Sequence, residues 1–103
     1  MKVQGQIEFT ITAQNAEQVT AEMPITSGIQ NPFGTVHAGA ILWFADVSAT
    51  ALVLGKLESS TNMAGFPLAI SLNAHFLSNQ TTGCFIAKSI FVKKGKTVSV
   101  VKT

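Results

Sequence analysis

The sequence predicts an α+β fold in which one long buried helix is wrapped by an antiparallel sheet. Three observations carry that expectation. Several short runs alternate apolar and polar residues with the period of two that marks a half-buried strand. One run, 38–54, is apolar on every side, so both of its faces must be covered. Their order is β-β-α-β-β-β, and no repeat, linker or low-complexity tract divides the 103 residues, so 1–103 is expected to be a single domain.

Each element has a local reason. In 6–12, Ile7, Phe9 and Ile11 point one way while Gln6, Glu8, Thr10 and Thr12 point the other. In 19–25, Val19, Ala21, Met23 and Ile25 are in phase, and Pro24, which has no N–H for a ladder, marks an edge or an end. Residues 27–35, rich in Gly, Pro, Asn and Ser, read as a loop. The apolar helix follows and is stopped by Gly55, after which the polar, glycine-containing 56–67 is a second loop. Leu68, Ile70, Leu72 and Ala74 alternate in phase and predict a strand over 68–77. Two more strands, 84–92 and 97–102, are joined as a hairpin through Lys93-Lys94-Gly95-Lys96. The pattern at Thr103 is still that of a strand. Because an uncovered edge invites aggregation, either a last strand is missing or a partner subunit completes this edge.

Composition narrows the function. With 47% hydrophobic and 12% charged residues, the chain is not disordered, and its mean hydropathy of +0.36 is high. A chain this short leaves much surface exposed as a monomer, so the sparse charge implies that copies of itself cover part of it. The net charge of +2 comes from seven lysines against five acids without any arginine, which argues against specific nucleic-acid binding. The single cysteine, Cys84, permits no internal disulfide and fits a reducing compartment. Residues 1–9 have no apolar core of signal-peptide length, so a cytoplasmic protein is expected. The run 38–54 is slightly short for a membrane span and has Asp46 at its centre, where a bilayer makes a carboxylate costly.

Asp46, the only aspartate, is the first candidate for chemistry. A carboxylate inside an apolar helix is either satisfied by Ser48, Thr50 or a backbone group, or is a general base or nucleophile tuned by partial desolvation; the second reading is favoured. His37, Ala38 and Gly39 open the helix. The free N–H groups and positive dipole end of a first turn can hold an oxyanion, and small side chains let a carbonyl approach. Eight residues separate Ala38 from Asp46, about 12 Å along a helix. One carbonyl cannot meet both. If both act, a two-fold dimer with antiparallel helices must bring one chain's helix start to the other's carboxylate.

The remaining candidates carry weaker signals. Asn31, in Asn-Pro-Phe-Gly, is either a turn residue or an amide that positions water or substrate. His75 reads as structural or surface, and Cys84 as a small core residue. His37, His75, Asp46 and Cys84 lack metal-ligand spacing, so no metal is expected. The lysine-rich turn is a solvated hairpin tip, with phosphate neutralisation as its alternative.

Taken together, 31–46 (NPFGTVHAGAILWFAD) resembles the signature of the hotdog-fold acyl-CoA thioesterases of the phenylacetate-degradation and 4-hydroxybenzoyl-CoA type. The strand pattern of 70–77 and the glycine-containing hairpin extend the likeness over nearly the whole chain. The resemblance implies that Asp46 activates water or attacks the thioester, and that the Ala38 N–H polarises the carbonyl. It also implies that His37 and Asn31 orient the substrate or water. Substrate contacts fall to Gly39, Trp43, Phe66, Lys94 and Gly95, with Phe44 also beside the acyl groove. No cofactor is implied, since CoA arrives with the substrate, and the assembly is a homodimer or homotetramer with sites shared between chains. Three departures stand out: Ala38 replaces the family's first glycine after His, Ala69 stands where many members carry Ser or Thr unless Ser71 substitutes, and the final strand is missing. The other readings are a non-catalytic acyl-thioester binding module and a dehydratase of the same fold.

Overall fold

The computed structural model describes residues 1–55 and 66–103. Two strands, β1 (Thr10–Gln14) and β2 (Gln18–Pro24), lead through a short 3-10 turn at Ser27–Ile29 to the helix α1 (Ala38–Leu54). After the helix come β3 (Cys84–Lys93) and β4 (Val100–Lys102). The strands form one antiparallel sheet in the order β1-β2-β3-β4, and α1 packs across one face of it.

The phase of β2 decides where the core lies. Val19, Ala21 and Met23 are fully buried, as their alternation predicts, and Ala87 and Ser89 of the neighbouring β3 are buried beside them. Pro24 ends β2, which is an interior strand of the sheet. Two apolar clusters result. One joins Ala21, Met23 and Ala87 to Ile29, Val36, Ala40 and Phe44, around the first half of α1. The other joins Val19 to Ala51 and Leu52, with Phe91 and Val101 against it, around the second half.

The helix has the bounds its apolar run predicts, and Gly55 ends it with a positive φ while its N–H donates to the Ala51 carbonyl at 3.1 Å. Its coverage differs from expectation. Ala40, Phe44, Ser48, Ala51 and Leu52 are buried, a stripe spaced for one face of a helix, and the sheet covers that stripe alone. A flat sheet can bury only one side of a cylinder, so Leu42, Trp43, Asp46 and Thr50 keep solvent contact in the single chain.

Four sequence expectations need correction. The last strand begins at Val100 rather than at 97, and β3 runs on through Lys93, so the connection is 94–99 instead of a tight turn over 93–96. The first strand begins at Thr10 rather than at 6: Gln6 N–H donates to the Gly28 carbonyl (3.1 Å) instead of to β2, and a bulge between Ile11 and Ala13 breaks the simple alternation. The run 68–77 joins no strand of the described sheet, and every residue in it is exposed. Alternation prepares a strand but does not supply its hydrogen-bonding neighbour, and 68–77 pairs with neither outer strand of the sheet, β1 or β4. Cys84 is exposed at the start of β3, not a core residue, because its in-register partner is Pro24 at the worn end of β2. The loop expected over 56–67 lies for the most part outside the described residues. Among the described residues no helix is long and apolar enough to cross a membrane.

Candidate active site

The loop before α1 is built from amides. Asn31 Oδ1 accepts from the N–H groups of Phe33 (2.9 Å) and Thr35 (3.2 Å), and its Nδ2 donates to the Thr35 hydroxyl. Gly34 sits at φ 89°, a conformation that L side chains rarely adopt, so the turn 31–35 requires glycine there. The Asn31 side chain therefore holds its own turn, with one Nδ2 hydrogen uncommitted among the described residues.

His37 is the N-cap of α1, in extended backbone (φ −60°, ψ 135°), and its exposed imidazole makes no capping bond. Its carbonyl accepts from Ala40 (3.1 Å) and Ile41 (3.4 Å), so helical bonding starts at Ala40. Ala38 and Gly39 precede that point. Both are exposed, and neither N–H donates to a partner among the described residues. A Cβ built on Gly39 would meet nothing within 4 Å. Two unoccupied donors at the positive end of a 17-residue helix can hold a partial negative charge on an approaching oxygen.

A cleft of roughly 350 Å³ lies beside this helix start, walled by His37, Gly39, Trp43, Gln6, Ile7 and Gly28. Phe9 packs against the Trp43 wall: its ring meets Trp43 edge-on at 5.0 Å and Phe44 at 4.9 Å. At Gly28 an added Cβ would lie 2.4 Å from the Gln6 carbonyl, so only glycine allows the N-terminal segment to close this side.

Asp46 stands apart from the cleft. At about 3.6 residues per turn, it falls on the side of α1 opposite the buried stripe, and it is half-buried there. No hydrogen-bond or ion-pair partner meets its carboxylate among the described residues. Ser48 does not serve it, because Ser48 faces the core and donates to the Phe44 carbonyl at 2.7 Å. With Leu42, Trp43 and Val53 nearby on the same side, the carboxylate lies in a mainly apolar surface.

The other sequence candidates scatter. Phe66 is exposed and does not line the cleft. Lys94 lies past β3, its Nζ 5.4 Å from the Phe91 ring, and Phe91 packs with Ala51 and Leu52. Lys94 and Gly95 are therefore near the second half of α1, away from the helix start. Ala69, Ser71 and His75 are exposed in the unpaired run. No three His, Cys, Asp or Glu residues come together as metal ligands among the described residues.

Sequence reading missed Gln30 and Asn79. Gln30 Nε2 donates to the carbonyls of Gly34 (2.8 Å) and Thr81 (2.9 Å), and Asn79 bonds both the N–H and the carbonyl of Val36. Clips between a side-chain amide and remote backbone follow no periodicity. The one available signal was the density of Asn, Gln and Thr in 78–82, which resembles any polar loop.

No protein-family model and no curated protein sequence matches the chain. Solved structures do. A thioesterase from Staphylococcus aureus matches with a TM-score of 0.79 at 22% identity, over 90% of this chain and 74% of its own. A Haemophilus influenzae thioesterase matches with a TM-score of 0.76 at 22% identity, over 90% and 62% respectively. For a mutant thioesterase from Pseudomonas aeruginosa the TM-score is 0.74 at 25% identity, over 92% and 65%. The chain thus spans less than two thirds of the length of the last two. Its fold is that of the hotdog thioesterases, one helix against an antiparallel sheet. Two structures of the Staphylococcus protein each carry one alanine, replacing a glutamine in the first and a glutamate fifteen positions later in the second.

Proposed function

We propose that this chain hydrolyses acyl-CoA thioesters to the free acid and CoA, at sites shared between two copies. The observation that carries the reading is the division of parts along α1. Two N–H donors that have no partner among the described residues open the helix beside a cleft, and a half-buried carboxylate, likewise unpartnered among them, lies on the side turned away from the sheet. The separation of about 12 Å prevents Ala38 and Asp46 of one copy from meeting at a single carbonyl. The apolar surface around Asp46 is suited to a second α1 running antiparallel, which would align each helix start with the other's carboxylate. An amide and a carboxylate with the spacing of Asn31 and Asp46 were the substituted positions in the Staphylococcus thioesterase, which supports giving both a place in the reaction.

In the proposed reaction the acyl group occupies the cleft beside Trp43 and the thioester oxygen accepts from Ala38 N–H. Asp46 of the other copy takes a proton from water, and the hydroxide adds to the carbonyl carbon. As the C–S bond breaks, the CoA thiolate recovers that proton. In the nucleophilic variant the carboxylate itself adds to the carbonyl, the C–S bond breaks to release the CoA thiolate and leave an anhydride, and water cleaves the anhydride to the free acid and Asp46, whose proton passes to the thiolate. Single turnover in ¹⁸O-water tests for this second route, since label enters the protein only when water opens an anhydride at the Asp46 carbonyl carbon. His37 and Asn31 shape the approach, and Lys94 with Gly95 meets the CoA phosphates of the site to which the second half of its helix belongs.

Subunit complementation tests the shared site. Asp46→Asn removes the base, while Ala38→Pro removes the N–H. Proline is favoured at the first helical position, and the extended backbone of His37 suits the residue before a proline. Mixed after unfolding and refolding, the two inactive variants should recover about a quarter of wild-type thiol release, because half the dimers then hold one intact site. No recovery from two folded variants would place both groups in one chain. A wild type that binds acyl-CoA but releases no thiol would overturn the enzymatic reading.

A further inference from the structure

The backbone that delivers Ala38 is held from outside its own loop. Val36, two residues before the first free donor, is 4% exposed and forms an isolated antiparallel bridge with Gln30. The adjoining His37 N–H donates to the Ile29 carbonyl at 2.9 Å. On the other side of Val36 no strand lies among the described residues. There Asn79 Oδ1 accepts from Val36 N–H (3.1 Å), and Asn79 Nδ2 donates to the Val36 carbonyl (3.0 Å). One side-chain amide meets both polar groups of a buried residue, as a neighbouring strand's backbone would.

That geometry bears on the donor. The direction of the Ala38 N–H follows from the His37–Ala38 peptide plane, and so from the torsions of Val36 and His37. His37 makes no side-chain cap that would fix it locally. Gln30 ties the same loop to the same segment, donating to both Gly34 and Thr81 carbonyls. Asn79 Oδ1 also accepts from its neighbour Gln80 N–H at 2.7 Å, which holds the amide plane in one orientation.

We infer that Asn79 is a positioning residue for the reaction, setting the aim of the Ala38 and Gly39 N–H groups by clamping Val36. It touches no substrate. The inference rests on the reading of Ala38 as oxyanion donor, and it makes the Asn79 side chain part of the site's support. Such a role belongs to the chemical step: an oxyanion forms only in the transition state, so misaimed donors lower kcat more than they change KM.

The experiment compares wild type with Asn79→Ala, Asn79→Asp and Gln80→Ala, the last removing a neighbouring side chain without a described bond. It measures kcat, KM, thermal melting and the amide ¹H–¹⁵N shifts of Ala38 and Gly39. Asn79→Ala is expected to lower kcat about 10- to 100-fold, to leave KM within about threefold, and to move the Ala38 and Gly39 shifts in a folded protein. Asn79→Asp keeps the acceptor for Val36 N–H but turns an oxygen toward the Val36 carbonyl, and is expected to rescue neither kcat nor the shifts. Gln80→Ala should match wild type. A folded Asn79→Ala protein with unmoved shifts and near-normal kcat would overturn the inference, as would equal losses from Gln80→Ala. If the wild type hydrolyses no thioester, the proposed activity fails, while the shifts alone still decide whether Asn79 aims the two amides.

Discussion

The two ends of α1 are satisfied in opposite ways. At the C-terminal end, Gln14 reaches across from β1 and its Nε2 donates to the carbonyls of Ala51 (3.0 Å) and Gly55 (2.8 Å), while Gly55 N–H returns to Ala51. The Ala51 carbonyl in the last turn thereby accepts from both a side chain and the backbone, and the Gly55 carbonyl just beyond it from the same side chain. At the N-terminal end the available side chains bond elsewhere: Asn31 to its turn, Gln30 to Gly34 and Thr81, Asn79 to Val36. Among the described residues the donors of Ala38 and Gly39 have no partner. An unused helix N-terminus is ordinary, but here three amides brace the backbone around it without capping it. One end is finished at Ala51 and Gly55 by a side chain from β1, whereas the other is braced but, among the described residues, left uncapped.

Breaking either end should therefore separate activity from stability. The largest effect is expected from Asp46→Asn, which should lower kcat by about a thousandfold with the assembly intact by sedimentation. Next comes Ala38→Pro, expected to lower kcat about 100-fold at an unchanged melting temperature. A fall in melting temperature matching the loss of activity would mean that the N-terminal donors are structural after all. Gln14→Ala addresses the finished end, and denaturant unfolding should show a loss of about 1 kcal/mol at unchanged kcat. The smallest effect is expected from Lys94→Ala. It should raise KM for an acyl-CoA about threefold at low ionic strength, with the difference gone at high salt.

The same division separates what the sequence reveals from what it hides. The helix bounds, the buried phase of β2 and the pairing of β3 with β4, though not the turn between them, follow from periodicity, because one buried face enforces one period. Asn31 was legible as a turn residue from Pro32 and Gly34, since turn chemistry is local. The run 68–77 shows the limit: its alternation is as regular as that of β2, yet periodicity reports a face, not the presence of a neighbouring strand. Asp46 stood out through its apolar neighbours, but its place opposite the buried stripe needed the sheet. Asn79 was invisible because the clip spans 43 positions and rests on two hydrogen bonds to backbone, which any residue at 36 would offer.

The sheet order also governs how the chain assembles. Asn15 closes the β1–β2 turn with its side chain, accepting from Glu17 and Gln18 N–H groups, so this hairpin can form from its own residues. The next ladder pairs Gln18 with Ile90 across most of the chain. Closing so long a loop costs entropy before any contact repays it. The expected sequence is an early hairpin and helix, followed by a slower capture of β3. Until that capture, Val19, Ala21 and Met23 lack their neighbour, and the nascent chain presents its stickiest surface in the interval between synthesis of β2 and arrival of β3.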